Sequence, residues 1–475
     1  MDSQAKIYSG TKIVTRFAPS PTGFLHVGGA RTALFNYLFT KKNGGKIILR
    51  IEDTDAERNK PEYAEGIVKA FDWLGIKFNQ IHKQSENFPV HRKYLEKLIA
   101  NGKAFVSKEE PREEGQRSEV IRFKNDNKDI IFEDLIKGEV KFNTTELGDF
   151  VIAKSLDEPI FHFSNVIDDI NSGITHIIRG EEHLSNTPRQ ILIWEAVSEA
   201  PRPSYAHIPL ILSEQKEKIS KRKHGEIVSV EYYQRNGYLP EAFVNFLASL
   251  GWNAGDDREI FNLQELTEVF SLEKVQKAGA VFNQDKLRWF NRQYLMRLND
   301  EEFIGKASKF MPEWLRVSNT GEQLPDSRFR GNDIRGNGNN IKIMPLIRDK
   351  IHAFGEIPML FETGGELSFV RDLPDYAKET LLWKKNPDPK TALRHLNEIS
   401  KLLSAVDENK FTTDNIKSAL WSYAEANGKG DVLWPVRVAF TGQEKSPDPF
   451  VCAFILGKNE SLSRIHKAIE NLSNQ

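Results

Sequence analysis

Two short stretches of this chain carry side chains whose types and spacing suit phosphate chemistry. The first runs Arg16-Phe17-Ala18-Pro19-Ser20-Pro21-Thr22-Gly23-Phe24-Leu25-His26-Val27-Gly28-Gly29. Gly28 and Gly29 open a helical pattern and let a ligand approach the backbone closely. A helix N-terminus favours an anion. His26 stands just ahead of it and can donate a hydrogen bond to a phosphate. The second stretch is Lys218-Ile219-Ser220-Lys221-Arg222-Lys223-His224-Gly225. Its lysines would neutralise charge on a departing polyphosphate, and Ser220 can bond a phosphate oxygen. Each stretch by itself has a plainer reading: a capped loop with two turn glycines, and a solvated basic loop.

The surrounding text supplies elements that would position them. Ile13 to Phe17 reads as a short buried strand, and the two prolines after it forbid regular helix or central strand. Ala30, Ala33, Leu34, Tyr37 and Leu38 recur at helix spacing until Asn43-Gly44-Gly45 stops them. Lys46 to Ile51 is the next strand. Strand, loop, helix, strand is the opening of a parallel α/β sheet, whose ligands sit at the carboxyl ends of the strands. A helix is expected from about Pro61 to Leu74. Phe105 to Phe150 is charged and strand-like, a subdomain inserted into the sheet. The α/β pattern resumes with a strand at Ile174 to Ile178, a helix at Thr187 to Val197 and a strand at Tyr205 to Leu212. Beyond Ile227 the periodicity is helical almost throughout, as in Glu241 to Leu250 and Asp285 to Met296. Arg316 to Asn340, rich in Gly, Asn, Arg and Ser, reads as a long mobile loop or insertion.

Bulk properties bound the answer without choosing it. At 475 residues the chain is long enough for about three domains of ~150 residues each. Hydrophobic residues at 39% and charged residues at 28% fit a globular enzyme rather than a disordered chain. A net charge of −1 gives no support to an RNA partner, so any RNA contact must come from local basic patches. No apolar run reaches the ~18 residues of a membrane span. The N-terminus MDSQAKIYSG lacks a secretory core, which points to the cytoplasm. The lone cysteine, Cys452, excludes an internal disulfide framework and a thiolate zinc cluster, and reads as a small buried hydrophobe.

Taken together, the two stretches resemble the paired signature motifs of class I aminoacyl-tRNA synthetases. The first, from Pro19 to Gly29, is similar to the "HIGH" motif, and Lys218 to Arg222 is similar to "KMSKS". The text is specifically similar to the bacterial-type glutamyl-tRNA synthetases. Ile51-Glu52-Asp53-Thr54-Asp55, Asn165-Val166-Ile167-Asp168-Asp169 and the run from Arg179-Gly180-Glu181-Glu182-His183 to Gln190 carry the same likeness. A weaker echo runs from Pro435 to Gly442. The likeness spans nearly the whole chain except Arg316 to Asn340.

The resemblance implies a multidomain α/β plus all-α fold. Residues 1–104 would be the first half of a Rossmann catalytic domain. An inserted acceptor-binding subdomain would follow at 105–163, and the second half with its basic loop at 164–226. A helical stem-contact domain at 227–315, a flexible insertion at 316–340 and a helical anticodon-binding domain at 341–475 would complete the chain. The implied activity is glutamate–tRNA ligase: L-glutamate is activated with ATP and passed to tRNAGlu, tRNAGln or both. His26, Lys218 and Lys221 would be catalytic. His26, Gly28, Gly29, Ser220 and Lys221 would bind ATP. Arg16, Ala18, Ser20, Glu52, Phe161, Asn165 and Arg179 would surround glutamate. Arginine grips a carboxylate with two prongs, so Arg16 and Arg179 suit its side chain. Glu52 would meet its ammonium group. Alternatively, Arg16 and Glu52 pair with each other in the empty enzyme.

Two departures stand out. Phe161 occupies a position where the family commonly carries tyrosine, so a hydroxyl donor is missing. Ala104-Phe105-Val106-Ser107 replaces the Cys-x-Cys of several zinc-binding relatives, so no structural zinc is expected. Mg2+ should accompany ATP, bound mainly through its phosphates. No metal is expected on protein ligands alone, nor a membrane, and a monomer is the family default. Trp383, Trp421, Trp434 and Arg437 could be stacking platforms for unpaired bases, although helical core is the plainer reading of the tryptophans. A catalytically silent RNA-binding paralogue is the alternative function; the intact His26, Lys218 and Lys221 argue against it.

Overall fold

The structure is a computed structural model, and it describes residues 12–54, 58–109, 118–315, 342–371 and 373–473. The expected loop at 316–340 and Asp55 of the acidic turn lie outside the described residues. The chain divides into two compact units that part between Tyr294 and Leu295.

The first unit is built on parallel strands. β1 (Val14–Phe17) leads through the proline loop to α1 (Val27–Lys42), then β2 (Lys46–Ile51), α2 (Pro61–Leu74), β3 (Gln80–Lys83) and α3 (Phe88–Ala100). β2 pairs in parallel with β1 on one side and β3 on the other. Its sequence, KIILRI, is buried from Ile47 to Ile51, as a strand covered on both faces must be. α2 starts at Pro61 and ends at Gly75, whose φ of 70° fits the left-handed cap position. Its buried residues Ile67, Ala70, Phe71 and Leu74 follow the helical period.

A separate antiparallel sheet follows, ordered β4 (Ala104–Lys108), β5 (Glu119–Phe123), β8 (Phe150–Ser155) and β9 (Glu158–Pro159). Between β5 and β8 lies the hairpin of β6 (Asp129–Asp134) and β7 (Gly138–Asn143). This hairpin does not join its neighbours in sequence. β6 pairs in parallel with β11 (Ser204–Ile208) at Asp134 and Tyr205, and the Leu135 amide donates to the Tyr205 carbonyl at 2.8 Å. α4 (Phe161–Asn171), β10 (His176–Gly180) and α5 (Thr187–Val197) restore the α/β rhythm, and β10 pairs in parallel with β11. The first strand and β10 lie side by side: the Thr175 amide donates to Val14 O and the Val14 amide to Thr175 Oγ1, both at 2.9 Å. Strand order therefore reverses between β1 and β10, which opens a crevice at their carboxyl ends. Alternate side chains serve opposite faces. Leu49, Ile51 and Ile178 pack with α1 and α2, while Ile48 and Ile177 pack with α3, α4 and α5.

After β11 come β12 (Ile211–Leu212), α6 (Lys221–His224), α7 (Val230–Arg235), α8 (Pro240–Ser249), α9 (Leu263–Val269), β13 (Ala280–Val281) and α10 (Gln284–Arg297). The second unit is helical among its described residues. It contains α11 (Asp300–Ala307), α12 (Met344–Lys350), α13 (Ile357–Phe361), α14 (Pro389–Ser404), α15 (Thr413–Asn427), α16 (Lys429–Thr441), α17 (Pro449–Leu456) and α18 (Lys458–Ser473). Cys452 is fully buried in α17, and burial pushes its thiol up to about 12, so it is a packing residue. Trp434 donates to the Thr380 carbonyl at 2.9 Å, and the Trp421 ring lies under Lys429 at 4.3 Å and Lys417 at 5.2 Å.

Candidate active site

His26 is the N-cap of α1. Its Nδ1 accepts from the Gly28 amide at 3.0 Å, and a backbone N–H can only donate. The ring proton must therefore sit on Nε2, free to be given to a ligand. Burial, then Lys218, lowers the pKa of His26, so it is neutral near pH 7. The following glycines are needed for close fit. A Cβ at Gly28 would come within 3.2 Å of His26 Nδ1, and one at Gly29 within 3.2 Å of the Phe17 ring.

The basic stretch is brought to this point by two backbone stitches. Lys218 bridges to Leu212, and the Ile219 amide donates to Ile211 O at 3.2 Å, so the entry to the loop is a small hairpin. Beyond the loop, Ser229 bridges to His26 and the Val230 amide donates to Leu25 O at 2.9 Å. Lys221 to Lys223 are exposed on a single helical turn between these anchors. The Lys221 ammonium lies 5.6 Å from the centroid of the exposed Phe24 ring.

The other end of the site is a buried network of charges. Arg16, Arg50 and Arg179 face Glu52, Asp168 and Asp169, and each side chain is at most 6% exposed. The sequence alternative that Arg16 pairs with Glu52 is not what the structure contains. Arg16 Nε instead holds both oxygens of Asp169, at 3.1 and 3.2 Å. Glu52 Oε1 accepts from Arg50 at 3.3 Å and from Asn165 at 2.8 Å. Arg50 also donates to Asp169 at 2.6 Å. Burial works against its charge, yet Asp169, Glu52 and Asp168 together raise its hold on the proton. For Glu52 the balance goes the other way: burial outweighs Arg50, Arg16 and Asn165 and raises its pKa above the usual carboxylate range. Asp168 accepts from His91 at 2.7 Å, Gln84 at 2.8 Å and Asn87 at 2.9 Å, which anchors α3 beneath the network. Arg179, lowered to about 10 by burial and then by Arg16, stays charged at neutral pH. The Phe161 ring lies 5.7 Å from that of His183, whose pKa burial and Arg179 push down to about 4.

The basic stretch and the charge network meet at one cavity of about 580 Å3; Arg16, Glu52 and Arg179 of the network line it, while Arg50, Asp168 and Asp169 bond to those lining residues or to each other without lining it. Arg16, Ala18, Ser20, Glu52, Phe161, Asn165 and Arg179 line it together with His26, Gly28, Gly29, Lys218, Ser220 and Lys221. Every residue singled out for the site from sequence is thus brought to the same space. Sequence reasoning missed His183 and Glu182 in its lining, and Arg50, Asp168 and Asp169 in the network that holds the lining residues. One signal was available: an arginine inside the otherwise apolar strand KIILRI must be buried, and a buried guanidinium needs acidic partners. Among the described residues no group of three or more His, Cys, Asp or Glu side chains gathers as a metal cage, and no helix is long and apolar enough to cross a membrane.

Known proteins resemble this chain in sequence and in fold. The family model described as tRNA synthetases class I (E and Q), catalytic domain, matches residues 12–114 and 108–289, and the anticodon binding domain model matches 302–469. The chain is 38% identical to a glutamate–tRNA ligase from Heliobacterium modesticaldum, over 96% of this chain and 97% of that one. It is 36% identical to the glutamate–tRNA ligase of Aquifex aeolicus, over 98% and 100%. A crystal structure of a glutamate tRNA ligase from Elizabethkingia meningosepticum in complex with its amino acid superposes with a TM-score of 0.81 at 32% identity. It covers 97% of this chain and 100% of that one.

Proposed function

The chain belongs to the class I tRNA synthetases of the glutamate and glutamine family, and from that premise we propose how its cavity works as a glutamate–tRNA ligase. Such a ligase activates L-glutamate with ATP and then esterifies tRNA with it. The observation that carries the assignment of roles is the polarity of the cavity. One end offers a neutral imidazole N–H, a helix start and two ammonium groups, and the other offers two guanidinium groups and a carboxylate.

Glutamate enters with its side-chain carboxylate on Arg16 and Arg179 and its ammonium on Glu52. Asp169 already occupies the Nε edge of Arg16, so its two terminal nitrogens are left for the ligand. The α-carboxylate then points toward the triphosphate. One of its oxygens attacks the α-phosphorus, the bond to the β-phosphate bridging oxygen breaks, and pyrophosphate leaves. His26 donates Nε2–H to the α-phosphate oxygen, where charge accumulates, while Lys218 and Lys221 neutralise the leaving pyrophosphate. The His26 donor is fixed before reaction by the Gly28 amide, whereas Lys221 has to move to the phosphate from its place against Phe24. In the second step a hydroxyl of the terminal tRNA ribose attacks the acyl carbon and AMP departs. Magnesium would arrive as part of the nucleotide, held by its phosphates.

The enzyme is taken to act as a monomer. In this proposal the enzyme works in the cytoplasm, with tRNAGlu as substrate and tRNAGln as a second acceptor to be tested. The deciding experiment is aminoacylation of purified tRNAGlu and tRNAGln with labelled glutamate. Charging of tRNAGlu is expected. ATP–pyrophosphate exchange that ignores glutamate, with tRNA present, would overturn the reading.

A further inference from the structure

Arg179 reaches the cavity from β10, and its guanidinium is not left to find its own orientation. Its Nε donates to His207 Nε2 at 3.2 Å, and its Nη2 donates to Thr187 Oγ1 at 2.8 Å. The other ring nitrogen of His207, Nδ1, lies 2.6 Å from Asp134 Oδ2. His207, Thr187 and Asp134 are buried to within 1% of full enclosure. We propose that Asp134 and His207 are positioning residues for the ligase reaction, acting through Arg179 to aim its remaining nitrogen, Nη1, at the side-chain carboxylate of glutamate. This rests on the reading of Arg179 as a glutamate-binding residue.

The direction of each hydrogen bond follows from the partners. Asp134 accepts from the amides of Ile136 at 3.0 Å, Lys137 at 2.9 Å and His207 at 3.1 Å. A carboxylate with that many donors is ionised, so the fourth contact must be donated by His207 Nδ1–H. His207 then carries a lone pair on Nε2, which is what the Arg179 Nε–H requires. A neutral imidazole thus stands between a fixed negative and a fixed positive charge. Two edges of the guanidinium are occupied, and Nη1 has no hydrogen-bond partner among the described residues. The same hairpin is tied down a second time. The Lys137 ammonium bonds the carboxylate of Glu181, two residues beyond Arg179, and Glu181 also accepts from the Leu210 amide at 2.9 Å. This gives a reason for the β6–β7 hairpin to leave the sheet of its sequence neighbours and for β6 to pair with β11: the hairpin delivers Asp134.

Isosteric variants separate positioning from bulk stability. In His207→Asn the amide can keep the bond to Asp134 but cannot reach Arg179. In His207→Gln the longer side chain can present an oxygen to Arg179 Nε while losing Asp134. In Asp134→Asn the amide donates to Nδ1, which forces the imidazole proton onto Nε2, against Arg179. KM for glutamate and for ATP would be measured by tRNA charging for each, with thermal melts as the check on folding. His207→Asn and Asp134→Asn are expected to raise KM for glutamate on the order of tenfold, the size of one lost hydrogen bond to a charged group. KM for ATP should not move, and His207→Gln should recover most of the loss. An unmoved KM for glutamate in His207→Asn would overturn the proposal. So would equal shifts in both KM values, or a His207→Gln as impaired as His207→Asn. If Asp134→Asn fails to fold, the two His207 variants decide alone. A wild-type enzyme that does not charge tRNA with glutamate would instead overturn the functional reading itself.

Discussion

In the proposed reaction Lys221 must leave one partner to reach another. Its contact with the exposed Phe24 ring is a cation–π pair worth about 0.5–1 kcal/mol at such a site. Stabilising the leaving pyrophosphate should contribute on the order of 2–4 kcal/mol, by analogy with lost oxyanion donors. The pull of the phosphate is the stronger of the two, so the ring parks the ammonium without holding it. Lys221→Ala should therefore slow glutamate activation about 100- to 1000-fold while tRNA binding stays near wild type; a large loss of tRNA affinity would contradict the role. Glu52 makes a pH prediction. Its pKa is raised, so its protonated form persists to a higher pH than that of an ordinary glutamate. An ammonium ligand needs the carboxylate. KM for glutamate should accordingly rise as pH falls, beginning above the usual carboxylate range, and Glu52→Gln should remove that dependence at the cost of a high KM throughout. A pH profile identical in Glu52→Gln and wild type would count against it. At this scale the sequence picked out residues that line the cavity. Arg16, Glu52, Asn165 and Arg179 sit inside recognisable runs. It did not show what holds those residues, because Arg50 and Asp169 meet across 119 positions and Arg16 and Asp169 across 153.

Among the elements, α1 does most to assemble the site, and the residue that caps it has a double duty. His26 satisfies the Gly28 amide as a helix cap and, in the proposed reaction, offers Nε2–H to phosphate. The two duties can be separated. Asparagine is a strong N-cap whose oxygen can accept from the same amide, but it has no group in the place of Nε2. His26→Asn should keep the melting behaviour of the wild type and lose most activity. His26→Ala should lose activity and also about 1 kcal/mol of stability, the usual worth of a cap. Equal stabilities for the two variants would show that the cap contributes nothing. Elements with strong local signals were legible. Lys46–Ile51, Pro61–Leu74 and Thr187–Val197 have the boundaries that their apolar periods and prolines suggest. The sharper lesson is β6. Its alternating burial marks it as a strand, but its partner β11 lies far along the chain, and nothing local distinguishes that pairing from one with β5 or β8.

Across the catalytic unit, the buried titratable groups set opposing pH windows for stability. Burial pushes His162, His176 and His183 down to about 4, and it also lowers His207. The unfolded chain binds a proton at each histidine near pH ~6.5, whereas the folded chain does not until much lower. Stability is therefore lost as pH falls from about 6.5 toward 4, because the unfolded state takes up more protons. His176, 8% exposed, is the clearest case, and its full titration is worth on the order of 3 kcal/mol. Asp134 and Asp168 act lower. Their folded pKa values are depressed, so the stability they provide is lost only as pH drops below the ordinary aspartate range near ~3.9. Glu52 has the opposite sign: with its pKa raised, it favours the folded state as pH falls toward its ordinary value. With His26 lowered as well, five histidines stand against two glutamates, Glu52 and Glu231, so the melting temperature of the wild type should decline between about pH 6.5 and 4.5. His176→Gln should flatten that decline, since glutamine occupies a similar volume without titrating. A melting temperature unchanged across that interval would mean that these histidines already reach water, and that the network behind the glutamate pocket is looser than its geometry.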